Sequence, residues 1–198
     1  MPDSMALPEN LRKKRGTLEI RKKKKWVRWN PYHSKLSAYI LGGGSDWPFK
    51  NSSKVLYLGS AEGNTVSFLS DICSEGRVIS VDISATAMAE LLVLAEMRNN
   101  IIPFLGDAHF PKAYELHARK PDILYQDIAQ RDQVEIFIRN YDFFSPKCGF
   151  LMLKSRSAPG NDKEVFQKTE QELKTKFTKV KTVNIGKWAK GHNAYYVE

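Results

Sequence analysis

Lys54-Val55-Leu56-Tyr57-Leu58-Gly59-Ser60-Ala61-Glu62-Gly63-Asn64-Thr65 decides the fold. Val55 to Leu58 is an apolar run with the length of a buried strand. It breaks at Gly59, and Gly63 stands where a helical pattern begins. A strand, a glycine turn and a helix N-terminus frame a crevice in which backbone N–H groups face a ligand. The spacing is G-x-x-x-G, whereas hydride-transfer dehydrogenases carry G-x-G-x-x-G at this point. Taken alone, the stretch also reads as a tight strand-to-helix turn. The rest of the chain decides between the two.

Downstream the chain settles into a β/α rhythm. A helix is expected over about 64–74, a strand over Val78–Asp82, and a helix rich in Ala, Leu and Met over Ala85–Arg98. Further strands are expected at Ile101–Leu105, Asp122–Tyr125 and Gly149–Leu153, with helices at Gln130–Phe144 and Lys163–Lys176. Val180–Ile185 and Ala194–Val197 read as a closing strand pair. Strands alternating with helices predict the α/β class: a Rossmann-like, mostly parallel seven-stranded sheet, covered by helices on both faces, with its last strand antiparallel.

In such a sheet ligands bind beyond the carboxyl ends of the strands. Here the strands end in turn at Gly59, Asp82, Asp107, Asp127 and Lys154. One Asp after a strand is ordinarily a cap or turn residue, but this many polar termini in series point to a site. Asp82 stands about 20 residues beyond the glycine turn, the spacing of a carboxylate that binds ribose hydroxyls. Asp107-Ala108 suits an adenine exocyclic amine beside a backbone N–H.

Upstream the composition changes. The chain of 198 residues carries a net charge of +9, and residues 12–28 hold ten of the 31 Lys and Arg with one acid, Glu19. The remaining 21 bases and 21 acids balance, so the whole excess lies in one short segment. With Trp26 and Trp29 beside it, that cluster reads as a contact for a phosphate backbone, the aromatics being able to stack on bases; the bland reading is a solvated basic tail. Residues 1–16, polar with Pro2 and Pro8, are expected to be irregular, and Thr17–Arg28 to give one or two short edge strands. The domain division is a basic N-terminal extension at 1–28 and one domain at 29–198. The sequence shows no apolar stretch of membrane length and no secretory h-region. Cys73 and Cys148 lack metal spacing and read as buried free thiols, and no H-x-x-H or C-x-x-C is present, so no metal site is expected. His33, His109 and His117 show no ligand spacing and are assigned no chemistry.

Four strings, the opening stretch among them, carry a resemblance. Trp29-Asn30-Pro31-Tyr32-His33-Ser34-Lys35-Leu36 resembles the W-N-P-x-x-S-K-L element of fibrillarin, and Lys54–Thr65 its K-V-L-Y-L-G-x-x-x-G-T-T loop. Asn99-Asn100-Ile101-Ile102-Pro103 is similar to its N-I-x-P strand, and Asp127-Ile128-Ala129-Gln130-Arg131-Asp132-Gln133 to its D-[IV]-A-Q-x-D-Q motif. The likeness runs from Trp29 to the C-terminus. Three departures stand out. Asn64 replaces the first threonine of T-T, Asp82-Ile83 replaces the usual Glu-Phe, and only about 28 residues precede the W-N-P element where archaeal relatives carry a longer β domain.

The resemblance implies a class I S-adenosylmethionine-dependent RNA ribose 2′-O-methyltransferase, acting on rRNA and tRNA inside a box C/D ribonucleoprotein whose guide RNA selects the target. It implies cofactor contacts at Gly59, Asn64, Thr65, Asp82, Ile83, Asp107, Ala108, Asp127 and Gln130. It implies a catalytic constellation of Lys35, Asp127, Lys154 and His192. Lys154 is expected nearest the nucleophilic oxygen with Asp127 orienting it, while Lys35 supplies charge and His192 shares the proton. It further implies a Nop-family scaffold partner, a kink-turn-binding ribosomal-type protein held indirectly, no membrane partner, and a cytoplasmic location, nucleolar if the source is eukaryotic. Two alternatives stand beside it. One is a guide-independent ribose 2′-O-methyltransferase, a class that typically places Glu where His192 stands; the other is a nonenzymatic RNA-binding module on the same scaffold.

Overall fold

Alternation along β4 (Lys54–Leu58) sends Val55 and Tyr57 into one buried layer and Leu56 and Leu58 into the other. A strand buried on both faces belongs inside a helix-covered parallel sheet. The computed structural model describes residue 7 and residues 9–22, 24–157 and 159–198.

β4 lies inside a seven-stranded sheet with β5 (Arg77–Asp82), β6 (Ile101–Leu105), β7 (Ile123–Gln126), β8 (Cys148–Lys154), β9 (Val180–Asn184) and β10 (His192–Val197). The order is β6-β5-β4-β7-β8-β10-β9. β6, β5, β4, β7 and β8 run parallel, and β10 is antiparallel to both β8 and β9. After β4 the chain builds outward to β5 and β6, then returns to lay β7 on the other side of β4. That reversal is the topological switch point at which open α/β sheets take their ligands. One layer holds side chains of α1 (Lys35–Leu41), α2 (Asn64–Ile72) and α3 (Ala85–Glu96). The other holds α4 (Gln133–Phe144), α5 (Asp162–Lys176) and the 3-10 turn Pro111–Tyr114.

Local sequence fixes the helix starts. The Ser84 hydroxyl accepts from Ala87 N–H ahead of α3, and Asn161 and Glu164 form a reciprocal capping box ahead of α5. Gly59 has φ +76°, and a Cβ there would stand 2.6 Å from the Asp127 carbonyl oxygen. The β4 turn therefore lies directly against the residue that follows β7. Gly59→Ala is expected to cost about 1–3 kcal/mol from backbone strain and collision, read as a lowered thermal midpoint.

The N-terminal segment departs from expectation. Residues 1–6 and 8 lie outside the described residues, but β1 (Leu11–Lys14), β2 (Thr17–Lys22) and β3 (Lys25–Trp29) form a separate three-stranded antiparallel sheet. It is not an edge of the large sheet. Leu11, Leu18, Ile20 and Trp29 turn inward and join the layer of α1 and α2. Trp29 is fully buried and stacks on Phe68 with centroids 4.8 Å apart, so it offers no face to a base. Trp26 lies under the Arg12 guanidinium, 4.0 Å from the ring centroid. Cys73 and Cys148 are buried free thiols, and burial pushes the Cys73 thiol up to about 12.

Candidate active site

The strand ends assemble two adjoining regions. The first is a cavity of about 250 Å³ lined by Gly59, Ala61, Asp82, Ile83, Asp107, Ala108, Asp127 and Gln130, together with Val81, Gly106, Ile128 and Ala129. Asp82, at the end of β5, accepts from the backbone N–H of Ala61 at 2.8 Å and of Ser84 at 2.9 Å. Those bonds hold its carboxylate in place, and each oxygen keeps acceptor capacity for a diol. Ile83 is 61% exposed and stands as an apolar plate at the rim. A carboxylate held beside a glycine turn, a second carboxylate at Asp107 and apolar side chains between them fit an adenosine with a charged tail.

Seven of the nine residues expected at the cofactor line this cavity; Asn64 and Thr65 do not. Asn64 is exposed, its amide donating to Glu62 Oε1 at 2.8 Å. Thr65 is buried, and its hydroxyl donates to Ser34 Oγ at 3.0 Å. Their place one and two residues inside α2 explains both: the first faces solvent and the second faces α1. Thr65 thus fastens the residue preceding Lys35. Thr65→Val is expected to cost about 1 kcal/mol of stability and to leave cofactor affinity within about twofold, which calorimetry on the variant checks.

The second region lies over β7, β8 and β10. Lys35 opens α1, Asp127 follows β7, Lys154 closes β8 and His192 opens β10, in register opposite Lys154. The Lys35 ammonium donates to both Asp127 oxygens, at 2.7 and 2.6 Å, with both side chains mostly buried. His192 completes the group. Burial first, and then the Lys35 charge, push its pKa below the usual 6.5, with Lys154 adding to the depression and Asp127 opposing it. The imidazole is therefore neutral at neutral pH and can accept a proton. Because the folded state resists protonating it, stability is lost as pH falls below 6.5.

One expected role is corrected. Asp127 engages Lys35 with both oxygens, so it orients Lys35, not Lys154. Lys154 is fixed through its backbone by Gln133, a residue without an expected role. The Gln133 side chain accepts from Lys154 N–H at 3.0 Å and donates to Lys154 C=O at 3.0 Å. Gln126 in turn donates to Gln133 C=O at 2.5 Å, and both glutamines are fully buried. A glutamine at a position that the structure buries is the signal for such a brace. Within the motif it is masked by Arg131 and Asp132 on its polar side.

A family model described as Fibrillarin matches residues 12–198. A relative from Picrophilus torridus, named fibrillarin-like rRNA/tRNA 2′-O-methyltransferase, is 37% identical over 97% of this chain and 92% of its own length. One of the same name from Thermoplasma acidophilum is 44% identical over 73% of the chain, which spans 64% of that relative. Among solved structures, the chain resembles one of a fibrillarin/Nop5p complex with TM-score 0.89 and 35% identity, covering 95% of this chain and 96% of that one. It also resembles Aeropyrum pernix fibrillarin with natively bound S-adenosyl-L-methionine, with TM-score 0.78 and 31% identity over 94% and 84% of the two chains.

Proposed function

This chain belongs to the fibrillarin family, and we propose that it methylates the ribose 2′-hydroxyl of rRNA and tRNA, using S-adenosylmethionine, inside a guide-RNA ribonucleoprotein. The observation that carries this reading is the placement of the Lys35–Asp127 pair and the in-register Lys154 and His192 beside the acid-lined cavity. The family relatives' names and the cofactor-bound Aeropyrum pernix structure support it.

The residues that would hold the cofactor are Asp82 at the ribose diol, Asp107 and Ala108 at the adenine, Ile83 on its face, and Gly59, Asp127 and Gln130 along the tail. Bound there, S-adenosylmethionine supplies an electrophilic methyl group on a sulfonium, leaving as the neutral thioether. The chain's own work is to place a ribose hydroxyl in line with that group and to take its proton as the carbon–oxygen bond forms. Lys154 stands at the rim to meet the hydroxyl oxygen. His192, neutral and opposite it, accepts the proton directly or through Lys154. Lys35, held by Asp127, presents positive charge to the RNA backbone.

The scaffold partner is a Nop5-type protein, supported by the likeness to the chain in the fibrillarin/Nop5p complex. Box C/D guide RNA, target RNA and, indirectly, a kink-turn-binding protein complete the particle, which works in the cytoplasm of an archaeal-type cell. Histidine at position 192 favours this over the guide-independent class. The test is a particle reconstituted with scaffold, guide RNA and tritiated-methyl cofactor. Label is expected in the target only with its complementary guide. Equal labelling without guide identifies the guide-independent class instead.

A further inference from the structure

The cavity has two facing walls, and one side chain outside its lining joins them. Asp107 and Ala108 form the wall after β6; Ile128, Ala129 and Gln130 form the wall between β7 and α4. His109 Nδ1 lies 2.6 Å from Asp107 Oδ1, and its Nε2 lies 2.6 Å from Asp132 Oδ2. The backbone N–H of His109 donates to the same Asp107 oxygen at 2.9 Å. Asp132 is the N-cap of α4, two residues beyond Gln130, and it makes no side-chain cap bond to its own helix. Arg139, farther along α4, donates to the His109 carbonyl at 3.2 Å. The Phe110 ring lies beside the imidazole at 6.4 Å between centroids.

We propose that His109 is a positioning residue for the cofactor: it straps the β6 wall of the cavity to the β7–α4 wall and holds Asp107 by one oxygen, so that the other oxygen meets the adenine amine. The inference rests on the cofactor reading above. Its chemistry is specific. Two carboxylates are satisfied by one imidazole only when both ring nitrogens carry hydrogen, that is, when it is the imidazolium. The bond to Asp132, then that to Asp107, raise the His109 pKa above the usual 6.5, while Asp107 and Asp132 are both held below the ordinary carboxylate range. Arg139 also favours the ionised Asp132, and the Asp107–His109–Asp132 triad sustains the closed arrangement at mildly acidic to neutral pH. With rising pH the ring loses one hydrogen, one of the two bonds loses its donor, and the walls are no longer strapped. The sequence gives no hint of this, because His109 and Asp132 are 23 residues apart.

The experiment is calorimetry of S-adenosylmethionine on the full chain, wild type against Asp132→Asn, at about pH 6 and about pH 8.5, below and well above the ordinary histidine value of about 6.5. Comparing the two proteins cancels titration of the ligand and of the other histidines. Wild type is expected to weaken roughly fivefold on going to the higher pH, and Asp132→Asn by less than about twofold, starting from the weaker affinity. An NMR titration of the His109 ring shows the same group moving to a lower pKa in Asp132→Asn. Equal pH dependence in both proteins, or none in the wild type, overturns the strap while leaving the cofactor reading intact. Absence of binding at either pH overturns the cofactor reading and the strap with it.

Discussion

Lys154→Met lowers methyl transfer in the assembled particle by roughly 10³-fold, the scale of a lost general acid–base group, while cofactor affinity stays within about twofold. The side chain closes β8 directly opposite His192, and it is absent from the lining of the acid-lined cavity. The methionine keeps the apolar stem, and the bonds from Gln133 go to the Lys154 backbone, so neither packing nor the brace is disturbed. The split between intact binding and lost turnover is therefore the signature to measure, by calorimetry and by single-turnover transfer. A variant that keeps full turnover removes Lys154 from the chemistry and leaves His192 as the proton acceptor.

Asp127→Asn is expected to act on both halves of the site. Its carboxylate takes the Lys35 ammonium with both oxygens and lines the cavity as well. The amide keeps the shape but leaves Lys35 without its counter-charge in a mostly buried position. For a pair with side-chain exposures of 25% and 18%, the stability loss is about 1–2 kcal/mol, between the surface and the fully buried cases. Freed Lys35 loses its fixed position, and transfer falls about a hundredfold or more, with weaker cofactor binding alongside. Thermal melts, calorimetry and transfer rates on one preparation read the three effects separately. A variant as stable and as active as wild type would show that the ion pair is ornamental.

How far the sequence carried depends on the kind of order involved. The strands and helices of the large sheet were legible because each is written locally: an apolar run such as Val55–Leu58, a glycine at its end, a cap such as Ser84 or Asn161. The cavity followed, since topology alone brings strand ends together, and Asp82 and Asp107 stand where it required. The N-terminal sheet was harder to see. Its inward residues, Leu11, Leu18, Ile20 and Trp29, are spaced among ten basic residues, so its alternation is faint, and what holds it is the face of α1 and α2 it covers.

Gln133 and His109 were passed over, and the contact that Thr65 makes was not seen, for a different reason. Each acts through a partner distant in sequence: Ser34 is 31 residues away, Lys154 is 21 and Asp132 is 23. A hydroxyl, an amide and an imidazole carry no local mark of where they point. Asp127 shows the same limit. The residue was identified from its motif, but its partner, Lys35, is 92 residues distant and became visible only in the folded chain.

Methyl transfer to matched target RNAs, one with ribose and one with 2′-deoxyribose at the guided nucleotide, tests the central claim most directly. The arrangement of Lys35, Asp127, Lys154 and His192 beside the acid-lined cavity predicts incorporation into the ribose target and none into the deoxy target, with both RNAs bound equally by the particle. Methylation of the deoxy target at a comparable rate would contradict it.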